Sequence, residues 1–220
     1  QKALKALAEG KFDSQIVPVE VEYNFLDANE KIQTKKTIFK QDEGPRADTS
    51  LEGLAKLRPV FANGGSVTAG NASGLNDGAA ALLIASKEAA EKHNLKPLAR
   101  IVGSAVAGVE PRIMGIGPVY AAEKALQRAG LNLEDMDILE LNEAFAAQVL
   151  ACTRKMGIAD NDPRINPNGG AIALGHPLGM SGARILLAAA RELQRSQKRY
   201  ALVAMCIGVG QGYATILERV

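Results

Sequence analysis

The stretch MDILELNEAFAAQVLACTRKM, residues 136–156, indicates the fold class. Met136 to Leu141 form a short apolar run that is typical of a buried strand, and Glu143 to Met156 have the spacing of an amphipathic helix. The same alternation surrounds this stretch, with strands predicted at 99–107, 200–205 and 213–217 and helices predicted to begin at Gly117 and Ser181. Strands that alternate with helices predict a layered α/β fold.

The residues before this region have a mixed character. A helix opens the chain and is predicted to end near Gly10. The β-branched run at 16–21 predicts a strand, at an edge because of Pro18. The polar stretch 27–36 predicts a surface excursion, and the apolar run 79–85 predicts a buried strand.

Composition excludes several classes of function. The 220 residues carry 26 Lys and Arg against 24 Asp and Glu, and so small a net charge argues against a dedicated nucleic-acid binder. Cys152 and Cys206 are the only cysteines and His93 and His176 the only histidines, which excludes a disulfide scaffold and predicts no metal centre. No apolar run has the roughly 18–20 residues that a membrane span needs.

A glycine-rich segment, 166–184, is the most suggestive chemical motif. In its sequence, NPNGGAIALGHPLGMSGAR, the dense glycines predict a loop whose conformation is determined by the backbone and not by side chains. This loop would present His176 just before a predicted helix. A neutral imidazole there is a candidate base, or a hydrogen-bond donor to an oxyanion. A structural histidine that caps a turn is the alternative interpretation.

Cys206 and Asn142 are further candidates, each with a plain structural alternative. Cys206 ends a predicted strand beside Gly208, where backbone N–H groups would lower the pKa of its thiol. A buried apolar cysteine is an equally good interpretation. Asn142 lies at a strand-to-helix junction, where it or Asp137 is favoured as a helix N-cap over an amide that fixes a water or a substrate oxygen.

Together these segments resemble the thiolase family. Asn142-Glu143-Ala144-Phe145, Gly175-His176-Pro177 and Cys206-Ile207-Gly208 look like three active-site blocks of that family in the family's order. The resemblance runs over essentially the whole chain. The wordings LRPVF, VTAGNASGLNDGA and HPLGMSGAR look especially like the 3-oxoadipyl-CoA thiolase subgroup.

The resemblance implies an activity and a set of roles. The implied reaction is CoA-dependent thiolytic cleavage of 3-oxoadipyl-CoA to succinyl-CoA and acetyl-CoA, with coenzyme A as substrate and no prosthetic group. Cys206 matches the acid/base cysteine, and His176 matches the residue that activates the nucleophile and lends Nε2 to an oxyanion hole. Asn142 matches the residue that holds the water of that hole, and Gly208 matches the N–H donor of a second hole.

The resemblance also implies how CoA is bound. Ser73 and Ala69 match positions that contact the pantetheine arm. Arg46 matches an arginine near the adenine–phosphate end of CoA, and Phe61 matches an apolar contact there.

The family fold implies the domain organisation. It has two similar halves in αβαβα layers, so residues 1–60 would end the CoA-covering excursion, 61–92 would complete the first half, and 93–220 would form the second half. The nucleophilic cysteine of the family belongs to a part of the first half that has no counterpart here, and Cys152 is predicted to be a core residue. We therefore expect a fragment that is inactive alone and exposes a large apolar face.

Two other functions remain open at this point. One is an acetoacetyl-CoA thiolase, and the other is a non-catalytic CoA-binding or assembly partner. The resemblance further implies a homo-oligomer, a tetramer in thiolases of this type. We expect a cytoplasmic location and neither a nucleic-acid nor a membrane partner.

Overall fold

The computed structural model describes residues 1–220. Seven α-helices occupy Lys2–Ala8 (α1), Leu51–Ala55 (α2), Lys87–Lys92 (α3), Gly117–Ala129 (α4), Ala146–Lys155 (α5), Ala171–Leu174 (α6) and Ser181–Ser196 (α7). Six strands occupy Val19–Leu26 (β1), Ile32–Phe39 (β2), Ala99–Gly108 (β3), Ile138–Leu141 (β4), Tyr200–Ile207 (β5) and Gln211–Arg219 (β6). Short 3₁₀ helices lie at Pro111–Ile116 and Leu133–Asp135. No helix combines the length and the apolar composition that a membrane crossing requires.

A four-stranded sheet in the order β3-β6-β5-β4 organises the second half of the chain. β4 runs parallel to β5, whereas β6 is antiparallel to both of its neighbours. Side chains alternate across the sheet, so Leu139 and Leu141 pack on the α4 and α5 side while Ile138 packs under α7. The predicted layered α/β fold is therefore confirmed, with helices on both faces of this sheet.

Helix boundaries follow from local chemistry. Pro118 lies in the first turn of α4, and Gly130 closes that helix with a left-handed φ of 66°. The Ser86 side chain accepts a hydrogen bond from the backbone N–H of Ala89 and so caps α3. α4 and α7 begin at Gly117 and Ser181, as the sequence predicts.

The surface excursion predicted at 27–36 is in part a strand. β1 and β2 pair as an antiparallel hairpin, and Asp27 Oδ1 closes its turn by accepting hydrogen bonds from the N–H groups of Asn29 and Lys31. β2 was missed because its sequence, IQTKKTIF, has no continuous apolar face, and nearly all of the hairpin is exposed.

The buried strand predicted at 79–85 is wrong for this chain. These residues adopt no regular structure, and Leu83 and Ile84 are 80% and 67% exposed. A strand needs neighbours that take up its backbone hydrogen bonds, and neither sheet of the chain extends to this segment. Leu75 is wholly exposed as well.

Candidate active site

Asn142 continues β4 beyond its last residue. Its backbone N–H donates to the carbonyl of Ala204 on β5 over 3.0 Å, which keeps it extended and almost completely buried. The N-cap interpretation is wrong for both candidates. α5 begins at Ala146 with the backbone of Phe145 at its cap, and Asp137 accepts from the N–H groups of Arg199 and Tyr200. The Asn142 side chain therefore does not cap α5 and is available for a contact with His176.

His176 lies in the connection between α6 and α7. Its Nε2 atom is 3.2 Å from Nδ2 of Asn142, and its Nδ1 atom is 2.6 Å from Oγ of Ser181. An amide nitrogen only donates, so Nε2 is the acceptor and the imidazole hydrogen is on Nδ1, facing Ser181. Ser181 Oγ in turn donates to the carbonyl of Pro177 over 3.0 Å, which completes a chain of directed hydrogen bonds.

The surroundings keep His176 neutral. Partial burial and the positive charge of Arg184 on α7 both hold the pKa of His176 below its usual value. A neutral imidazole whose Nε2 carries a lone pair is the form that acts as a base. The geometry therefore favours the chemical interpretation of His176 over a plain turn cap.

Cys206 lies at the same edge of the sheet as Asn142. Because β4 and β5 are parallel, with Leu141 opposite Ala204, both strands bring their carboxyl ends to one edge. Cys206 is 8% exposed, and Gly208 follows in the exposed turn between β5 and β6. Burial raises the pKa of the Cys206 thiol, against the lowering that the sequence predicts, because loss of solvent outweighs the backbone hydrogen bond.

The other cysteine belongs to the core, as the sequence predicts. Cys152 on α5 is fully buried, and its Sγ donates to the carbonyl of Gly115 over 3.2 Å. Burial raises the pKa of Cys152 to about 11. A thiol in this state is neither accessible nor ionised near neutral pH, so Cys152 is inert.

The loop that contains Ser73 packs beside the site. The Ser73 N–H donates to the carbonyl of Ala144 over 3.0 Å, and the Phe61 ring meets the edge of Phe145 with centroids 6.0 Å apart. Ala69 is exposed in the same loop. Arg46 is exposed and paired with Asp48, and it makes no hydrogen bond to another predicted site residue.

Sequence reasoning missed two residues that hold His176. Asn76 Oδ1 accepts from the backbone N–H of His176 over 3.2 Å, and Ser181 meets the ring. A signal for Ser181 exists, since a serine five residues after a histidine at a helix start reaches back to the preceding loop. Asn76 carries no such signal, because 100 residues separate it from its partner.

Comparison with known proteins places this geometry in a family. Family models described as "Thiolase, N-terminal domain" and "Thiolase, C-terminal domain" match residues 1–88 and 95–219. The chain is 56% identical over its 220 residues to a beta-ketoadipyl-CoA thiolase of Acinetobacter baylyi. It is 56% identical over 223 aligned residues to a 3-oxoadipyl-CoA/3-oxo-5,6-dehydrosuberyl-CoA thiolase of Escherichia coli.

Solved structures of similar proteins have the same fold as this chain. Human mitochondrial 3-ketoacyl-CoA thiolase superposes with a TM-score of 0.91 at 49% identity, over all of this chain and 53% of that one. An acetyl-CoA acetyltransferase of Bacillus anthracis superposes with a TM-score of 0.92 at 47% identity, over 100% and 53% of the two chains. The Acinetobacter and Escherichia relatives are likewise covered over 53% of their length, so the chain spans about half of each protein it matches. The fold and both family models show that this chain belongs to the thiolase family.

Proposed function

We propose that the chain is the acid/base half of a CoA-dependent thiolase that cleaves 3-oxoadipyl-CoA to succinyl-CoA and acetyl-CoA. The observation that carries the proposal is the chain of hydrogen bonds from Asn142 through His176 to Ser181. It lies at the sheet edge that also holds Cys206, in a chain 56% identical to beta-ketoadipyl-CoA thiolases.

The first half-reaction breaks the bond between C2 and C3 of the substrate. The Nδ2–H of Asn142 leaves Nε2 of His176, and Nε2 takes the proton of a nucleophilic thiol. The thiolate adds to the C3 carbonyl, whose oxygen accepts from the Gly208 N–H. As the C2–C3 bond breaks, its electron pair forms the enolate of acetyl-CoA. Nε2–H of His176 and a water held by Asn142 stabilise that enolate oxygen, and preorganised donors of this kind contribute about 3–4 kcal/mol each.

Cys206 then handles the protons. Its thiol donates a proton to C2 of the enolate and releases acetyl-CoA, for which a protonated thiol is required. Burial, which raises the pKa of Cys206, supplies that form. In the second half-reaction the Cys206 thiolate takes the proton of the CoA thiol, and the CoA sulfur adds to the acyl carbonyl carbon. The bond from that carbon to the nucleophilic sulfur breaks, and this sulfur recovers its proton from Nε2–H of His176.

CoA would lie along the loop beside the site. We assign the pantetheine arm to Ser73 and Ala69, and the adenine–phosphate end to Arg46 and Phe61. Support comes from the contacts of this loop with Ala144 and Phe145 and from a solved human mitochondrial 3-ketoacyl-CoA thiolase in complex with CoA, to which the chain is 49% identical. Arg46 would exchange Asp48 for a phosphate group.

The nucleophile is proposed to come from outside these 220 residues, because Cys152 is buried and hydrogen-bonded within the core. The test is a chimera that joins this chain to the N-terminal half of the Acinetobacter baylyi relative. Thiolysis of 3-oxoadipyl-CoA is measured for the chimera and for the 220-residue chain. Turnover by the chimera alone is expected. A folded but inactive chimera contradicts the proposed reaction, and turnover by the chain alone contradicts the external nucleophile.

An acetoacetyl-CoA thiolase is the second candidate. An acetyl-CoA acetyltransferase of Syntrophomonas wolfei is 48% identical to the chain over 216 residues. The chimera's kcat/KM for acetoacetyl-CoA and 3-oxoadipyl-CoA decides between them, and we expect 3-oxoadipyl-CoA to be preferred. A reversed preference would assign the acetoacetyl-CoA reaction.

A non-catalytic role is disfavoured, because a scaffold has no use for the directed hydrogen bonds of His176.

Three further properties remain our predictions: the domain division into 1–60, 61–92 and 93–220, the homo-oligomer and the cytoplasmic location. Sedimentation of the chimera tests the oligomer, for which a tetramer is expected.

A further inference from the structure

Asn166 is a buried residue in a left-handed conformation, with a φ of 42° and 2% exposure. It lies next to the free edge of β4, where Ile165 forms a parallel bridge with Leu139. The backbone N–H of Asn166 continues this pairing by donating to the carbonyl of Leu139 over 2.9 Å. Residues 164–166 therefore act as a short extra strand beside β4.

The Asn166 side chain takes over where this short strand ends. Its Oδ1 accepts from the N–H of Leu141 over 2.8 Å, and its Nδ2 donates to the carbonyl of Leu141 over 2.9 Å. One side-chain amide thus satisfies both backbone groups of the residue that precedes Asn142. Such a pair of bonds fixes the direction of the backbone as a neighbouring strand would.

The second hydrogen of Asn166 Nδ2 reaches Glu143, the residue that follows Asn142. It donates to Oε1 over 2.7 Å, while Oε2 accepts from the backbone N–H of Ile172 on α6 over 3.2 Å. Glu143 therefore joins the loop after β4 to the helix that leads into His176. Asn142 is held from both sides, although neither Asn166 nor Glu143 is bonded to its side chain.

We propose that Asn166, acting through Leu141 and Glu143, is the positioning residue that holds the Asn142 amide within hydrogen-bond distance of His176. The proposal rests on the proposed function for the roles of His176 and Asn142. Its physical consequence concerns protonation, because the Nδ2–H of Asn142 faces the lone pair of Nε2 and opposes the binding of a proton to that atom. If Asn142 moves away, Nε2 becomes free to bind a proton.

The chain offers a direct readout and a matched control. His176 and His93 are its only histidines, and exposed His93 gives an internal reference for the NMR titration of the imidazole resonances. Asn168 is also buried, but its Nδ2 donates to Glu192 on α7, and it makes no hydrogen bond to β4. Asn166→Ala and Asn168→Ala change no charge, and Arg184, the charged group that acts on His176, stays in place.

The expected result is a rise of about half a pH unit or more in the His176 midpoint for Asn166→Ala, with His93 unmoved. Asn168→Ala is expected to leave the His176 midpoint unchanged, whatever its effect on stability. An unchanged His176 midpoint in folded Asn166→Ala overturns the proposal, as does an equal shift in Asn168→Ala.

If Asn166→Ala does not fold, a second pair of variants, in which the hydrogen-bond donor and acceptor of positions 166 and 143 are exchanged, tests the same proposal. Asn166→Asp leaves the Leu141 carbonyl without its donor and places two carboxyls together. The double variant N166D/E143Q restores the hydrogen bond between side chains 166 and 143 and the original net charge, but not the bond to the Leu141 carbonyl. We expect the double variant to return the His176 midpoint towards that of the unmodified chain. A double variant whose His176 midpoint stays at that of Asn166→Asp contradicts the part that Glu143 has in the proposal. These titrations need no substrate, so an inactive chimera would refute the proposed function while leaving the positioning result standing.

Discussion

The Nδ2 atom of Asn142 lies 3.2 Å from Nε2 of His176, although 34 residues separate the two in sequence. The contact joins the end of β4 to the connection between α6 and α7. It assigns the histidine hydrogen to Nδ1 and so leaves Nε2 as the atom that faces the site. The position of the hydrogen on the His176 ring therefore depends on the conformations of the loop after β4 and of the connection between α6 and α7.

Ser181 anchors the other side of the same ring. Replacing it by Ala removes the acceptor of Nδ1–H at 2.6 Å and the donor to Pro177. We expect kcat of the chimera to fall about tenfold with little change in KM, because an imidazole with no fixed tautomer is a poorer base. Steady-state thiolysis of 3-oxoadipyl-CoA provides the measurement.

Ser196 is the control for that substitution. It lies at the other end of α7, and its Oγ donates to the carbonyl of Glu192 over 2.7 Å, a bond of the same type without a histidine. Ser196→Ala should keep kcat within about twofold. Equal losses in both variants would mean that α7 stability, not His176, sets the rate.

Cys206 provides a prediction about pH. In a Cys152→Ser variant it is the single thiol, and its alkylation by iodoacetamide reports the thiolate fraction. Since burial raises the pKa of Cys206, the alkylation rate should rise with a midpoint above the usual value of about 8.5. A midpoint below about 8 would show that the N–H groups of the Gly208 turn outweigh burial.

Glu140 makes the stability of the chain depend on pH. It is 2% exposed on β4, and burial raises its pKa to about 8 despite the nearby Arg184. A carboxyl that holds its proton more tightly when folded stabilises the fold at low pH. That contribution is lost as pH rises from the usual glutamate range, about 4.3, towards about 8. The loss is on the order of several kcal/mol.

Glu140→Gln removes the titration. Urea unfolding at about pH 5.5 and about pH 8.5 should show a smaller loss of unfolding free energy in this variant than in the unmodified chain. Glu134→Gln, at an exposed position in the 3₁₀ helix Leu133–Asp135 just before β4, is the control and should keep the original pH dependence. Parallel curves for the unmodified chain and Glu140→Gln would contradict a raised pKa.

The sequence predicts the second half of the chain better than the first. From Ala99 onwards each element buries one face within the chain, so its hydrophobic period matches its structure. The run 79–85 has the same apolar signal, but no strand in the chain pairs with it. The local hydrophobic pattern thus predicts that a segment can form a buried strand. The strand forms only where a neighbouring strand is present to pair with it.

The same limit applies to the site. Local motifs single out His176, Asn142 and Cys206 as candidates, because glycine density and strand ends are local signals, and the family resemblance assigns their roles. The partners that orient them are distant in sequence: Asn76 is 100 residues from His176, and Asn166 is 25 residues from Leu141. The raised pKa of Cys206 was also beyond local reasoning, since burial is a property of the whole fold.

Gly170 tests, through sterics alone, the link between the loop after β4 and the helix that leads into His176. Its backbone is extended, with φ −128° and ψ −167°, a conformation that any residue adopts. A Cβ at this position would overlap the carboxyl group of Glu143, which bonds Asn166 and Ile172. Gly170→Ala should therefore push Glu143 aside, lower the unfolding free energy by about 1–3 kcal/mol and reduce kcat of the chimera. Gly108→Ala, where a Cβ meets open space, should change neither quantity. A Gly170→Ala chimera with full kcat would mean that Asn142 keeps its place without the Glu143 carboxylate.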